Sequence, residues 1–347
     1  MGTVMAVSGL LSAVLTLFVG RLFNRFGPTP LNRAAALCCA TSALLTTQAE
    51  CLPALAFAWM LTGQTLLLTS TAGYRGVGGL FTEEERVTKF SRMSVFSNLN
   101  EILIPIVIST AFTAAPEWTP WGIVFLCVLS LVLPGGISMA QFQAQGQTKS
   151  LSLLVNLKRV VKSGPLLAAV TAGAGIHALL CVYDVIIPSA AGEIGITTTQ
   201  VGFILSSCAL AQAAASYVLS ARPNPRTLPT QLRNGLLLGA AALSGAVLAD
   251  GFFPLLLVVV VSGFGFGLIH PLSMSTIFQY SPADSVGDIV GARLMLNNIG
   301  RILMPSLMAA AVGIMPPIAF LTMAAMIVLV LTLGTTVWQM VRRKMPA

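Results

Sequence analysis

Apolar residues run along this chain in long unbroken stretches separated by short polar breaks. Crossing a hydrocarbon core of about 30 Å takes about 20 helical residues, or fewer when flanking side chains snorkel. Eleven stretches approach that length, at about 3–20, 34–49, 53–72, 92–113, 119–140, 164–188, 201–221, 234–250, 253–275, 289–313 and 316–340. Their apolar positions are continuous rather than alternating. A backbone facing lipid must satisfy its own hydrogen bonds, so the pattern predicts transmembrane α-helices.

The stretches repeat. A shift of 200 residues, without a gap, lays Gly63 on Gly263, Asn98 on Asn298 and Pro105 on Pro305. The chain therefore reads as two copies of one multi-helix unit, a construction found around the midplane sites of many secondary transporters. The expected fold is an all-α polytopic membrane protein with two pseudo-symmetric helical halves. Residues 1–147 form the N-terminal half, 148–163 a cytoplasmic linker and 164–347 the C-terminal half. Met1 and Gly2 fall on Val201 and Gly202, at the start of the second helix of the second half. The helix at 164–188 then has no counterpart, which leaves eleven spans visible of an expected twelve. The expectation is a first helix missing from the N-terminal half, encoded upstream of the assigned start.

Composition supports a membrane protein: 56% of residues are apolar, 9% are charged, and mean hydropathy is +0.87. Soluble domains carry roughly 25% charged residues. The net charge of +8 is distributed by loop parity. Arg21, Arg25 and Arg33 share one loop. Arg75, Arg86, Lys89 and Arg92 lie in the next of that parity, followed by the cluster from Lys149 to Lys162, then Arg222, Arg226 and Arg233, then Arg293, then the tail Arg342, Arg343 and Lys344. The alternate loops hold Glu50, Glu117, Glu193 and Asp250 and no Lys or Arg. The positive-inside rule places the basic loops and the C-terminus in the cytoplasm. The basic clusters read as topology signals near anionic headgroups, and no nucleic-acid partner is expected.

Ionisable residues within spans are costly and mark candidate sites. Under the shift of 200, Glu101 falls on Arg301, so one repeated position carries opposite charges in the two copies. Ser94, Asn98, Glu101 and Pro105 are spaced 4, 3 and 4 and make one polar stripe on an apolar helix. Glu101 lies nine residues past Arg92, about 13 Å along a helix and near the bilayer midplane. Arg301 sits at similar depth beside Asn297 and Asn298. Pro105 and Pro305 each free a carbonyl one turn earlier and predict helix bends. The alternative for this stripe is a buried polar anchor that fixes helix packing. His177, Cys181 and Asp184 share a face of the helix that opens the second half, where an imidazole could relay protons. His270 and Gln64 are further candidates for a substrate or proton pathway, each balanced by a packing role. The six cysteines show neither a disulfide framework nor metal-ligand spacing, so no metal and no cofactor are expected. No nucleophile, base and orienting group fall together, which argues against an enzyme.

One loop carries a resemblance. Residues Gly20-Arg21-Leu22-Phe23-Asn24-Arg25-Phe26-Gly27 resemble the signature loop of the major facilitator superfamily, usually Gly-x-x-x-Asp-Arg-x-Gly with basic residues following. The glycines from Gly263 to Gly267, His270-Pro271-Leu272 and the stretch from Gly291 to Asn298 are similar to bacterial efflux-like members. Asn24 replaces the usual Asp, and Pro28-Thr29 replace the basic pair. The resemblance implies twelve helices in two six-helix halves that rock around a central cavity. Gly20, Asn24, Arg25 and Gly27 would form the conformational loop motif. It further implies a secondary active transporter of a small organic solute across the cytoplasmic (inner) membrane, directed outward, with protons as a second partner and a monomeric chain in the bilayer. A solute importer and a degenerate, non-transporting relative are the alternatives.

Overall fold

A computed structural model describes residues 11–16, 26, 28–48, 51–114, 118–132, 153–190, 195–224, 227–282, 285–311 and 314–344. Among these the regular structure is helical. A helical segment at 11–16 precedes α1 (Pro28–Gln48), α2 (Leu52–Leu80), α3 (Glu83–Ala114), α4 (Thr119–Val132), α5 (Leu153–Lys162), α6 (Gly164–Ala190), α7 (Thr198–Ala221), α8 (Leu228–Ser244), α9 (Phe252–Tyr280), α10 (Val286–Ala311) and α11 (Pro317–Lys344). Within the described residues each apolar stretch expected from the sequence overlaps one of these helices or the segment at 11–16. Four helical stretches among the described residues are long and apolar enough to cross a membrane: Leu52–Gly78, Gly164–Ala190, Thr199–Ala221 and Phe252–Tyr280. Helix α3 begins at Glu83 and carries its charged turns into the same helix as its apolar run, which lowers its average apolarity.

The structure departs from the sequence expectation where basic residues assigned to loops lie within helices. Arg75 lies within α2 rather than in a loop, because the helix continues through Tyr74-Arg75-Gly76 to Leu80. Arg293 lies a full two turns inside α10 and is 1% exposed, so it does not sit among headgroups. The linker holds a short basic helix, α5, with Arg159 and Lys162 in its last turn and Val160 buried. Cations there suit the negative end of the helix dipole.

The described chain forms two compact units. The first comprises 1–82, 103–157 and 281–306, and the second 83–102, 158–280 and 307–347. In the first unit α1 packs on α2 and α4. Ser42 bridges α1 and α2 by donating to the Ala58 carbonyl (2.7 Å) and lying 2.7 Å from Thr62 Oγ1. In the second unit α9 is central and packs on α6, α7 and α8, while α11 packs on α6 and α8.

Glycines set the spacing around α9. A Cβ at Gly265 would stand 2.5 Å from the Gly239 nitrogen, and one at Gly267 would stand 2.4 Å from the Gln212 carbonyl oxygen. Such approaches replace the hydrophobic effect as the source of helix association in lipid, where tails are as apolar as side chains. Two local devices fix the ends. Thr197 and Gln200 form a reciprocal capping box that starts α7. Gly251, at φ 94°, makes the left-handed turn into α9 that a side chain would strain.

Candidate functional site

Helix α3 carries the polar stripe. Ser94 and Asn98 are buried, and Asn98 is 6% exposed, whereas Glu101, one turn further on, is exposed. All three belong to the second unit. The Ser94 hydroxyl lies 3.1 Å from that of Ser216 on α7, which in turn donates to the Gly267 carbonyl on α9 (2.8 Å). The near end of the stripe is therefore a packing anchor. Its far end is different, because Asn98 Nδ2 is buried without a hydrogen-bond acceptor.

The second unit also brings Asp184 of α6 into electrostatic range of Glu101. Cys208 of α7 lies within reach of both. The neighbouring polar groups are occupied elsewhere. Tyr183 donates to the Ile204 carbonyl (3.2 Å), and Gln212 Nε2 donates to Cys208 Sγ (3.4 Å). Among the described residues neither carboxylate receives a hydrogen bond or pairs with a cation. Two exposed, mutually repelling carboxylates thus lie in electrostatic range of each other with no donor among the described residues to neutralise them. Spacing alone linked Asp184 to His177 on its own helix; the pairing of Asp184 with Glu101 required the packing of α3 against the second half.

In the first unit the corresponding stripe lies on α10. Asn298 donates to Thr16 Oγ1 (3.1 Å) and is 6% exposed, as Asn98 is. Gln64 donates to Ser12 Oγ (3.0 Å) from α2, which leaves Gln64 Oε1 buried without a donor. Asn297 Oδ1 is likewise buried and unpartnered. Arg301 is half-buried. Glu101 and Arg301 fall in different units. His177 on α6 and His270 on α9 are both half-buried, each with an interaction of its own. Pro105 and Pro305 lie inside the continuous helices α3 and α10. The loop motif Gly20, Asn24, Arg25 and Gly27 lies outside the described residues.

Two features of the first unit were not singled out from the sequence. The Arg75 guanidinium rests on Gly287, where a Cβ would collide with Nη2, and it interacts with Asp288 in the first turn of α10. Arg293 is buried with Nε and Nη1 unpaired, in electrostatic range of Tyr74. The spacing Gly-Asp at the start of a span opposite an Arg at the end of another was the available signal. An open apolar groove of about 500 Å³ in the second unit, lined by Val247, Met323 and Met326 among others, includes none of the candidate residues.

No curated protein sequence matches this chain. The crystal structure of the human organic anion transporter MFSD10 (TETRAN) is similar, with a TM-score of 0.75 at 16% identity, over 95% of this chain and 83% of that one. That likeness concerns the fold. Residues 1–305 match the Major Facilitator Superfamily, and with most of the sequence matched the chain belongs to that superfamily of membrane transporters, which are carriers and not enzymes.

Proposed function

We propose that this secondary transporter exports a small organic solute across the cytoplasmic membrane by alternating access, with inward proton movement coupled through Glu101. The observation that supports this is that Glu101 and Asp184 lie in electrostatic range of each other with no neutralising donor among the described residues. Groups facing the pair are Tyr183 on α6 and Cys208 on α7. An exposed carboxylate near the midplane is too costly to face acyl chains, so the space before it is aqueous. There it can exchange protons with one side at a time. Arg301 with Asn298 supplies a separate polar face on α10, and His177, His270 and Gln64 contribute lesser polar positions. The basic loops orient the C-terminus to the cytoplasm, and the chain acts as a monomer built from the halves 1–147 and 164–347 joined through the linker 148–163.

Purified protein in proteoliposomes tests the coupling. An imposed pH gradient should drive solute accumulation in the wild type. Glu101→Gln should abolish that drive while solute exchange at equilibrium persists, because the amide resembles only the protonated acid. Loss of folded protein from the membrane, with exchange and drive falling together, would instead make Glu101 a packing residue.

A further inference from the structure

The environment of Glu101 holds more information than a proton site requires. A single carboxylate suffices to carry one proton, yet Asp184 lies in electrostatic range of Glu101 and neither is neutralised among the described residues. A second feature lies on the same helix face. Asn98 precedes Glu101 by three residues, so the two side chains neighbour each other along α3, separated by about 5 Å of axial rise. Asn98 is 6% exposed and its Nδ2 has no acceptor. A buried amide donor left unpaired is disfavoured by about the desolvation of that group. Other polar side chains of the second unit are committed: Ser94 to Ser216, Ser216 to Gly267, Gln212 to Cys208 and Tyr183 to Ile204.

We infer that Asn98, Glu101 and Asp184 form the recognition site for an organic cation: an amine held between the two carboxylates, with an oxygen acceptor about 5 Å away that takes the Asn98 amide hydrogen. This rests on the transport function proposed above and specifies its substrate class. The chemistry is complementary at each point. An ammonium group has several donors and can satisfy both carboxylates at once. The oxygen acceptor removes the unpaired donor. The exposed position of both carboxylates leaves the amine a way in, whereas the burial of Asn98 makes the hydrogen bond selective, because a ligand lacking the oxygen leaves the amide unsatisfied.

The test uses three matched probes: N-benzylaminopropanol with its hydroxyl at the chain end, N-benzylpropylamine lacking the hydroxyl, and benzyloxypropanol lacking the charge. Binding to the purified full chain is measured by titration calorimetry at neutral pH. The amino alcohol should bind at least about ten-fold more tightly than the neutral ether, as charge-assisted bonds predict. Removing the hydroxyl should weaken binding about five-fold in the wild type and not at all in Asn98→Leu. Glu101→Gln and Asp184→Asn, checked for a monodisperse elution profile, should each weaken the amine by about ten-fold without changing the ether. Equal binding of ether and amine to the wild type, which needs no variant, overturns the inference, as does hydroxyl discrimination that survives in Asn98→Leu. Counterflow in proteoliposomes separates the two levels. Amine binding without counterflow supports the site and refutes transport, whereas counterflow of other solutes without amine binding supports transport and refutes the site.

Discussion

Arg293 shows how far a residue can stand from its sequence context. It is 1% exposed on α10, with Nε and Nη1 unpaired. A buried ion costs several kcal/mol of desolvation, which an apolar side chain of similar volume avoids. Arg293→Met should therefore melt in detergent at the wild-type temperature or several degrees above it, while solute flux falls. A lower melting temperature would show that the electrostatic attraction to Tyr74 outweighs the burial of the charge. Gly287 gives the opposite kind of case, because its lack of a side chain makes room for the Arg75 guanidinium beside Asp288. Gly287→Ala should displace that guanidinium, and since a long side chain yields cheaply, stability should drop by no more than about 1 kcal/mol. Combining it with Arg75→Ala should then add little in flux or stability, a non-additivity that marks a shared interaction. Glu101 was legible in the sequence because a charge in an apolar run stands out. Counting charges by loop parity misplaces Arg293, because it registers position along the chain and not how far a helix extends.

At the scale of elements, the apolar runs located the helices well and their ends poorly. Helix α3 starts about nine residues before its apolar run, and α2 extends eight residues past its own, through Arg75. Charges at the ends of long helices look like loop residues when only hydropathy is followed. The Thr197 and Gln200 capping box was legible as Thr-x-x-Gln and fixes the start of α7 independently of hydropathy. Thr197→Ala should lower unfolding free energy by about 1 kcal/mol, read from denaturation in mixed micelles. Packing around α9 makes a sharper contrast. A Cβ at Gly267 would fall 2.4 Å from the Gln212 backbone, whereas one at Gly202 would meet nothing within 4 Å. Gly267→Ala should therefore reduce the yield of folded, monodisperse protein strongly and Gly202→Ala should not. Similar losses for both would indicate that general glycine flexibility, and not the close approach of α7 and α9, governs assembly.

At the scale of the whole molecule, the 200-residue repeat is visible in how the compact units are composed. The segment 83–102 joins the unit formed mainly by the second half, and 281–306 joins the unit formed mainly by the first. Shifted by 200, the first segment becomes 283–302, so the same stretch of each copy crosses over. The sequence displayed the repeat, but not this exchange, since pairing of helices from different halves depends on tertiary packing that periodicity does not encode. The exchange places Ser94 of the first half against Ser216 of the second, 3.1 Å apart. A carrier that alternates access by rocking its halves must break this contact once per cycle. Individual polar contacts between membrane helices average only about 0.6 kcal/mol, weak enough to open thermally. With the native cysteines replaced, Ser94→Cys combined with Ser216→Cys should form a disulfide on mild oxidation. Fragments cut by a protease site placed in the linker 148–163 would then remain joined on a non-reducing gel. Solute flux should stop on oxidation and return with dithiothreitol. Undiminished flux from fully crosslinked protein would show that α3 and α7 stay together throughout transport, and the moving boundary would then have to lie elsewhere in the fold.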